Sequence, residues 1–272
     1  MGFSAFDPFQ PKNPARRDVQ YVGLKRWDSG KEHFKDIASL SKEFSDSVIS
    51  CLKHDRIKRW MDAVGELELA DPIFAQLGIT RLIPDSVDPP FMVDNNLNSR
   101  IIQLFPTLSS GHKVVLLTIT RLVELVEEKT LVLIDEPEAH LHPPLLSAFI
   151  RALSRLLTER NAMAIAATHS PVVLQEVPKS CVWKLIRSGE ALGSERPRVE
   201  TFGENVGTLT NEVFGLDVAQ SGYNTMLTRA LEETDSYEEA LAWFGGALGS
   251  EARLILRARS LVAGGEGRRV ES

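Results

Sequence analysis

The stretch LVLIDEPE, residues 131–138, decides the fold. Leu131 to Ile134 are wholly apolar, and such a run suits a strand buried on both faces of a parallel sheet. It leads straight into Asp135 and Glu136. Two adjacent carboxylates at the C-terminal end of a parallel strand stand where open α/β sheets bind ligands. One can hold Mg²⁺, directly or through water. The other can orient and polarise a water for attack on phosphorus. Taken alone, a strand followed by an acidic turn accounts for the string as well.

On the C-terminal side, Pro143 to Arg160 reads as an amphipathic helix with its prolines confined to the first turn, where they are tolerated. AIAATHSP, residues 164–171, follows. Met163 to Ala167 reads as a second buried strand, and His169 stands just past its end, within reach of a γ-phosphate bound at the same sheet edge. On the N-terminal side, LSSGHK at 108–113 opens a helix over Gly111 to Lys129 with Val115, Leu116, Ile119, Leu122 and Val126 on one side. Ser109, Ser110 and Gly111 thereby offer hydroxyl and backbone N–H groups at a helix N-terminus, a setting that favours phosphate. An ordinary serine N-cap is the competing reading.

Strand-like runs alternating with helical patterns give an α/β class from residue 100 onward. Further expected elements are a short helix over Pro171 to Glu176 and strands over Cys181 to Ile186 and Arg198 to Phe202. Upstream, Tyr21 to Leu24 reads as a short strand. Phe34, Ile37, Leu40, Phe44, Val48 and Cys51 form one apolar stripe, and Ile57, Trp60, Met61, Val64 and Leu67 a second that ends before Pro72. Asp85 to Asn98 reads as loop. The chain divides into 1–31, a helical arm and loop at 32–99, a core at 100–204, a helical C-terminal region at 205–263 and a frayed tail at 264–272.

Composition excludes several classes. Hydrophobic residues make up 43% and charged residues 25% of the 272, which is globular rather than disordered. The net charge of −6 argues against a dedicated nucleic-acid binder. No apolar run approaches a membrane span, and MGFSAFDPFQ lacks the pattern of a secretory signal. A cytoplasmic chain with two buried free thiols, Cys51 and Cys181, is expected.

Taken in order, LSSGHK, a helix, LVLIDEPEAHLHP, a helix and AIAATHSP resemble the second half of an ATP-binding-cassette (ABC) ATPase head, over about residues 100–187. LSSGHK resembles the signature motif, LVLIDEPE the Walker B motif with its glutamate, AHLHP the D-loop, and His169 the switch histidine. The form DEPEAHLHP is similar to the soluble RecF, SMC and OLD-like group rather than to transporters. The resemblance implies a P-loop NTPase head that acts on ATP with Mg²⁺. Asp135 would hold the ion, Glu136 would be the catalytic base and His169 would sense the γ-phosphate. Ser109, Ser110 and Gly111 would act on the nucleotide of a partner head, in a homodimer or higher oligomer closed by an ATP sandwich.

SAFDPF at 4–9, YVGLKR at 21–26 and TFGENVGTLTNEVFGLD at 201–217 carry a narrower resemblance, to the ATPase subunit (PtuA) of Septu-type anti-phage systems, also found beside some retrons. That likeness implies an HNH endonuclease partner and control of a DNA-acting machine.

The Walker A loop, G-x-x-x-x-G-K-[ST], is absent from the sequence. The head is therefore expected to be partial, its Walker A half missing through truncation or a split between chains, with Gln10 near the Q-loop position. A chain of this kind should bind ATP weakly and turn it over negligibly. A non-catalytic module that scaffolds partners is the alternative.

Other clusters read as structural. Lys53, His54, Arg56, Lys58 and Arg59 form a solvated helix end, with DNA phosphates as the competing partner. His140 and His142 lack further ligands nearby in the sequence, so no zinc site is expected. Glu232, Glu233, Asp235, Glu238 and Glu239 read as a solvated face, Trp243 and Phe244 as a helix end, and Thr208 or Thr210 as a helix cap.

Overall fold

The amphipathic stripes around LVLIDEPE become helices that pack on one side of a small parallel sheet. The computed structural model describes residues 2–3, 20–28, 31–52, 55–83, 95–188, 190–219 and 222–266. They form two units, Met1–Val182 with Thr201–Gly203, and Trp183–Glu200 with Glu204–Ser272. The segment SAFDPF, Gln10, Lys53, His54, residues 85–94 of the expected loop and the last six residues lie outside the described residues, while Asn95–Asn98, also expected as loop, open a helix.

In the first unit, four parallel strands run in the order β2 (Tyr21–Val22), β1 (Gly2–Phe3), β5 (Leu131–Asp135) and β6 (Met163–Ala167). The β5–β6 register pairs Asp135 with Ala167, so both strands end at the same level. A hairpin, β3 (Lys25–Asp28) and β4 (Lys31–Phe34), precedes α1 (Ile37–Cys51). The helices α2 (Arg56–Ala70), α3 (Pro72–Leu77), α4 (Asn95–Leu104), α5 (Ser110–Leu125), α6 (Pro143–Glu159) and α7 (Pro171–Gln175) follow.

Local chemistry sets the helix ends. Asp36 caps α1 by accepting from the Ser39 N–H at 2.7 Å. Asp71 caps α3 with Pro72 in its first turn, and Gly78 closes that helix at a φ of 56°. Helix α5 ends at Leu125, short of the expected Lys129, because Val126 turns to extended backbone.

The packing gathers α1, α2, α5 and α6 into one apolar core. Phe44 stacks on Phe105 with ring centroids 4.9 Å apart. The buried Trp60 indole donates to the Thr120 hydroxyl at 3.0 Å, which satisfies a polar group that would otherwise be costly to bury. At the rim, Arg155 of α6 reaches Asp62 and Glu66 of α2 at 3.0 and 3.5 Å.

One expectation fails here. Strand β5 is covered on one face only: Val132 and Ile134 are buried, whereas Leu131 and Leu133 are 44% and 47% exposed. Strand β6, also expected buried, is exposed at all five residues, and its Met163 and Ile165 continue the same open apolar surface at 69% and 62%. The continuous run records an affinity for burial, but among the described residues no layer covers the second face.

The second unit holds the hairpin β7 (Lys184–Ser188) and β8 (Ala191–Glu195), then α8 (Val206–Ala219), α9 (Tyr223–Glu232), α10 (Tyr237–Trp243) and α11 (Ser250–Glu266). Leu227, Ala230, Ala240 and Leu256 form its small core. Strand β7 begins later than expected because Lys179–Cys181 is a 3-10 turn. No strand forms over Arg198 to Phe202. Instead the Arg198 N–H donates to Glu212 and the Thr201 hydroxyl to the Val177 carbonyl. Asn205, not Thr208 or Thr210, caps α8 by accepting from the N–H of Gly207 at 2.8 Å. Within the acidic run, Glu233 pairs with Arg229 at 2.7 Å, Ser236 caps α10 by accepting from the Glu239 N–H, and the Glu239 carboxylate accepts from the Asp235 N–H.

Candidate functional site

The level ends of β5 and β6 bring the two sequence signals together. Asp135 is the last residue of β5, and Glu136 follows with its N–H donating across to Ala167, the last residue of β6, at 2.8 Å. Glu136 takes a φ of 46°, in the left-handed region that non-glycine residues seldom enter. Such strain gathers at functional sites. Here it turns the chain sharply off the strand, leaving the Glu136 side chain half exposed while Asp135 is partly buried.

His169, one turn past β6, directs Nδ1 to Glu136 Oε1 at 3.7 Å and to Glu138 Oε1 at 3.2 Å. Sequence reasoning passed over Glu138. Its carboxylate accepts from the His169 N–H at 2.9 Å and from the Thr168 hydroxyl at 2.8 Å, and its side chain is 13% exposed. Glu138 thus fixes the loop that carries His169. The clue was a third acid beside Asp135 and Glu136 with a Thr-His pair after the next apolar run. Asp135, Glu136 and His169 are accordingly neighbours at one sheet edge.

Ser109, Ser110 and Gly111 form the start of α5. Ser109 is the N-cap, and its hydroxyl lies 2.5 Å from His112 Nδ1. Ser110 is exposed, and Gly111 is buried against the 137–142 turn. A Cβ built on Gly111 would fall 2.7 Å from the His140 carbonyl oxygen. Glycine is required there for close backbone approach. The LSSGHK turn and the AHLHP turn are thus packed on each other.

One further residue that sequence reasoning missed joins these turns. Asp71, from the α2–α3 junction, faces His112 Nε2 with Oδ1 at 3.1 Å and His142 Nε2 with Oδ2 at 3.2 Å. Burial would raise the Asp71 carboxyl. The N–H of Phe74, the imidazole of His112 and the N–H of Ile73 overcome that effect and hold it below its ordinary value. Asp71 lies far from both motifs in sequence, and only its position before Pro72 marked it, as a helix cap.

The arrangement offers oxygen ligands suited to a hard cation at Asp135. It also sets a carboxylate beside an imidazole at Glu136 and His169, and an exposed serine, Ser110, at the N-terminus of α5. No helix among the described residues is long and apolar enough to cross a membrane. Of the basic cluster, Arg56, Lys58 and Arg59 lie at the start of α2.

Residues 11–175 match the family described as "AAA domain, putative AbiEii toxin, Type IV TA system". The chain is 45% identical over 274 aligned residues to protein ea59 of Escherichia phage lambda. That alignment takes in 95% of this chain and 52% of the phage protein, so the chain spans about half the length of this relative. The chain belongs to the AAA domain family, a family of nucleotide-binding ATPases.

Proposed function

We propose that this chain supplies the hydrolytic half of an ABC-type ATP site. The observation that carries the reading is the meeting of Asp135, Glu136 and His169 where β5 and β6 end level. Glu136 holds and polarises the attacking water, a role in which a positioned carboxylate contributes on the order of 10² to 10⁴ in rate. His169, steadied by Glu138, faces the γ-phosphate. Asp135 is placed to hold Mg²⁺, which would neutralise phosphate charge when bound. Ser109, Ser110 and Gly111 present the α5 N-terminus to phosphate held by a second head. The reading makes the chain part of a homodimer or higher oligomer that closes on ATP.

The phosphate-binding loop that this sequence lacks is supplied by another segment or chain. Two facts support that: no G-x-x-x-x-G-K-[ST] string occurs in the sequence, and the apolar face of Leu131, Leu133, Met163 and Ile165 stands open for a covering element. Nucleotide-driven control of a DNA-acting partner in anti-phage defence, with an HNH endonuclease of Septu type, is the wider role. It rests on the strings at 21–26 and 201–217 and on a family description that speaks of a toxin–antitoxin system. The absent loop equally favours a second reading, a non-catalytic module that scaffolds the nuclease.

The test is ATP hydrolysis by the chain alone and by the assembly that carries the loop, each with Glu136→Gln. The chain alone should be inactive. The assembly should hydrolyse ATP and lose at least about a hundredfold in turnover on substitution while still binding Mg²⁺–ATP. Unchanged turnover in the Glu136→Gln assembly refutes the assignment, and an assembly that binds without hydrolysing establishes the scaffold.

A further inference from the structure

The Asp71 cluster lies outside the proposed catalytic edge and does not depend on that reading. We propose that Asp71, His112 and His142 form a binding site for one divalent transition-metal ion of the zinc class. Three segments distant in the chain contribute one side chain each: the α2–α3 junction, the first turn of α5 and the residue before α6. The candidate ligand atoms all lie within 4.8 Å of one another. The separation of 3.2 Å between Asp71 Oδ2 and His142 Nε2 is close to a ligand–ligand edge of a tetrahedral zinc site, about 3.3 Å for bonds of about 2.0–2.1 Å, and His112 Nε2 lies 3.1 Å from the other oxygen of the same carboxylate.

The donor set selects the ion. Two imidazoles and one carboxylate suit zinc and its neighbours, whereas Mg²⁺ prefers an all-oxygen shell. Asp71 and His112 are almost fully buried, at 2% and 5% side-chain exposure, so their geometry is fixed. His142 is 48% exposed, which provides an entry path and room for a water as fourth ligand.

The hydrogens can be accounted for. Without metal, the His112 Nε2–H donates to Asp71 Oδ1, His142 Nε2 lies 3.2 Å from Asp71 Oδ2, and each Nδ1 accepts, from the Ser109 hydroxyl and from the Leu145 N–H. Metal binding requires each neutral imidazole to move its proton from Nε2 to Nδ1. The Ser109 hydroxyl then turns to accept from His112 Nδ1–H, the outer-shell bond that orients a zinc-bound histidine. His142 gives up only its contact with Leu145, which is 3.4 Å long. Asp71 Oδ1 keeps its bonds from Ile73 and Phe74, leaving Oδ2 as the oxygen for the ion. The ion would tie the LSSGHK turn to the AHLHP turn.

The experiment is a zinc titration of the chelator-stripped full chain by calorimetry, with excess Mg²⁺ present, repeated on His142→Asn and Cys181→Ser. Asparagine retains a cap for α6 while removing the imidazole. Cys181→Ser removes the exposed thiol, the other soft donor that zinc would seek. One equivalent should bind wild type and Cys181→Ser alike, at least about tenfold more weakly in His142→Asn, and Co²⁺ in its place should give a tetrahedral visible spectrum. No saturable binding, equal binding in His142→Asn, or loss of binding in Cys181→Ser overturns the proposal.

Discussion

Replacing Gly111 with alanine asks whether the two motif turns are truly locked backbone to backbone. Gly111 is the second residue of α5, and a new Cβ there would sit 2.7 Å from the His140 carbonyl oxygen. An ordinary carbon–oxygen contact is about 3.3 Å or longer, so backbone must move by roughly half an ångström. The 136–141 turn resists: the Ala139 N–H donates to the Glu136 carbonyl and the Leu141 N–H to the Glu138 carbonyl, each at 3.0 Å. Overpacking of this kind costs about 1–3 kcal/mol. Alanine returns at most about 1 kcal/mol as the better helix former, so even with that full return Gly111→Ala should cost the first unit about 0–2 kcal/mol.

Gly65→Ala in α2 is the matched control, since nothing lies within 4 Å of its Cβ position. It should stabilise by about 0.5–1 kcal/mol. Native-state hydrogen exchange of the α5 and α6 amides against urea separates this unit from the other. A Gly111→Ala protein stabilised to the same extent as Gly65→Ala refutes the close approach.

Two further outcomes follow from the same physics. Burial, then the Glu124 charge, pushes the Cys51 thiol up to about 12, and its Sγ donates to the Thr120 carbonyl. A thiol reagent at pH 8 should therefore modify the exposed Cys181 quickly and leave Cys51 untouched until the fold opens; two equally fast thiols would contradict the packing. In the second unit, burial opposes ionisation of Glu212, but the Arg198 N–H and the Lys184 ammonium outweigh it and hold its carboxyl below 4.5. A depressed acid stabilises the fold above its unfolded pKa and ceases to as pH falls through the folded one. Denaturant stability of this unit should fall below about pH 4.5, and Glu212→Gln should show a shallower acid loss; parallel acid limbs would remove Glu212 as the cause.

The helices and strands around LVLIDEPE were legible because their signals are local. Apolar residues at three- and four-residue steps gave α5 and α6, and Met163 to Ala167 matched β6 to the residue. The unreadable parts depend on chemistry that local pattern does not carry. Arg198 to Phe202 alternates like a strand, but the Arg198 N–H and the Thr201 hydroxyl are bonded to Glu212 and Val177. Thr208 and Thr210 are good capping types, yet Asn205 precedes them and takes the N–H groups first. Cys181, expected buried, is exposed on a 3-10 turn.

The candidate site shows the same division more sharply. Motif spacing singled out Asp135, Glu136, His169 and Ser110, which stand at or just beyond strand and helix ends. It could not find Glu138 and Asp71, whose work is to hold other side chains. Glu138 takes two hydrogen bonds and an imidazole contact from the 168–169 segment, and Asp71 meets one imidazole from the first turn of α5 and one from the residue before α6. A supporting carboxylate has no required spacing from the residue it supports; it needs only to be nearby after folding. That freedom makes the supporting shell invisible to pattern. It also makes the shell testable: if Glu138 steadies His169, Glu138→Gln should release the 168–170 amides to exchange without altering β6.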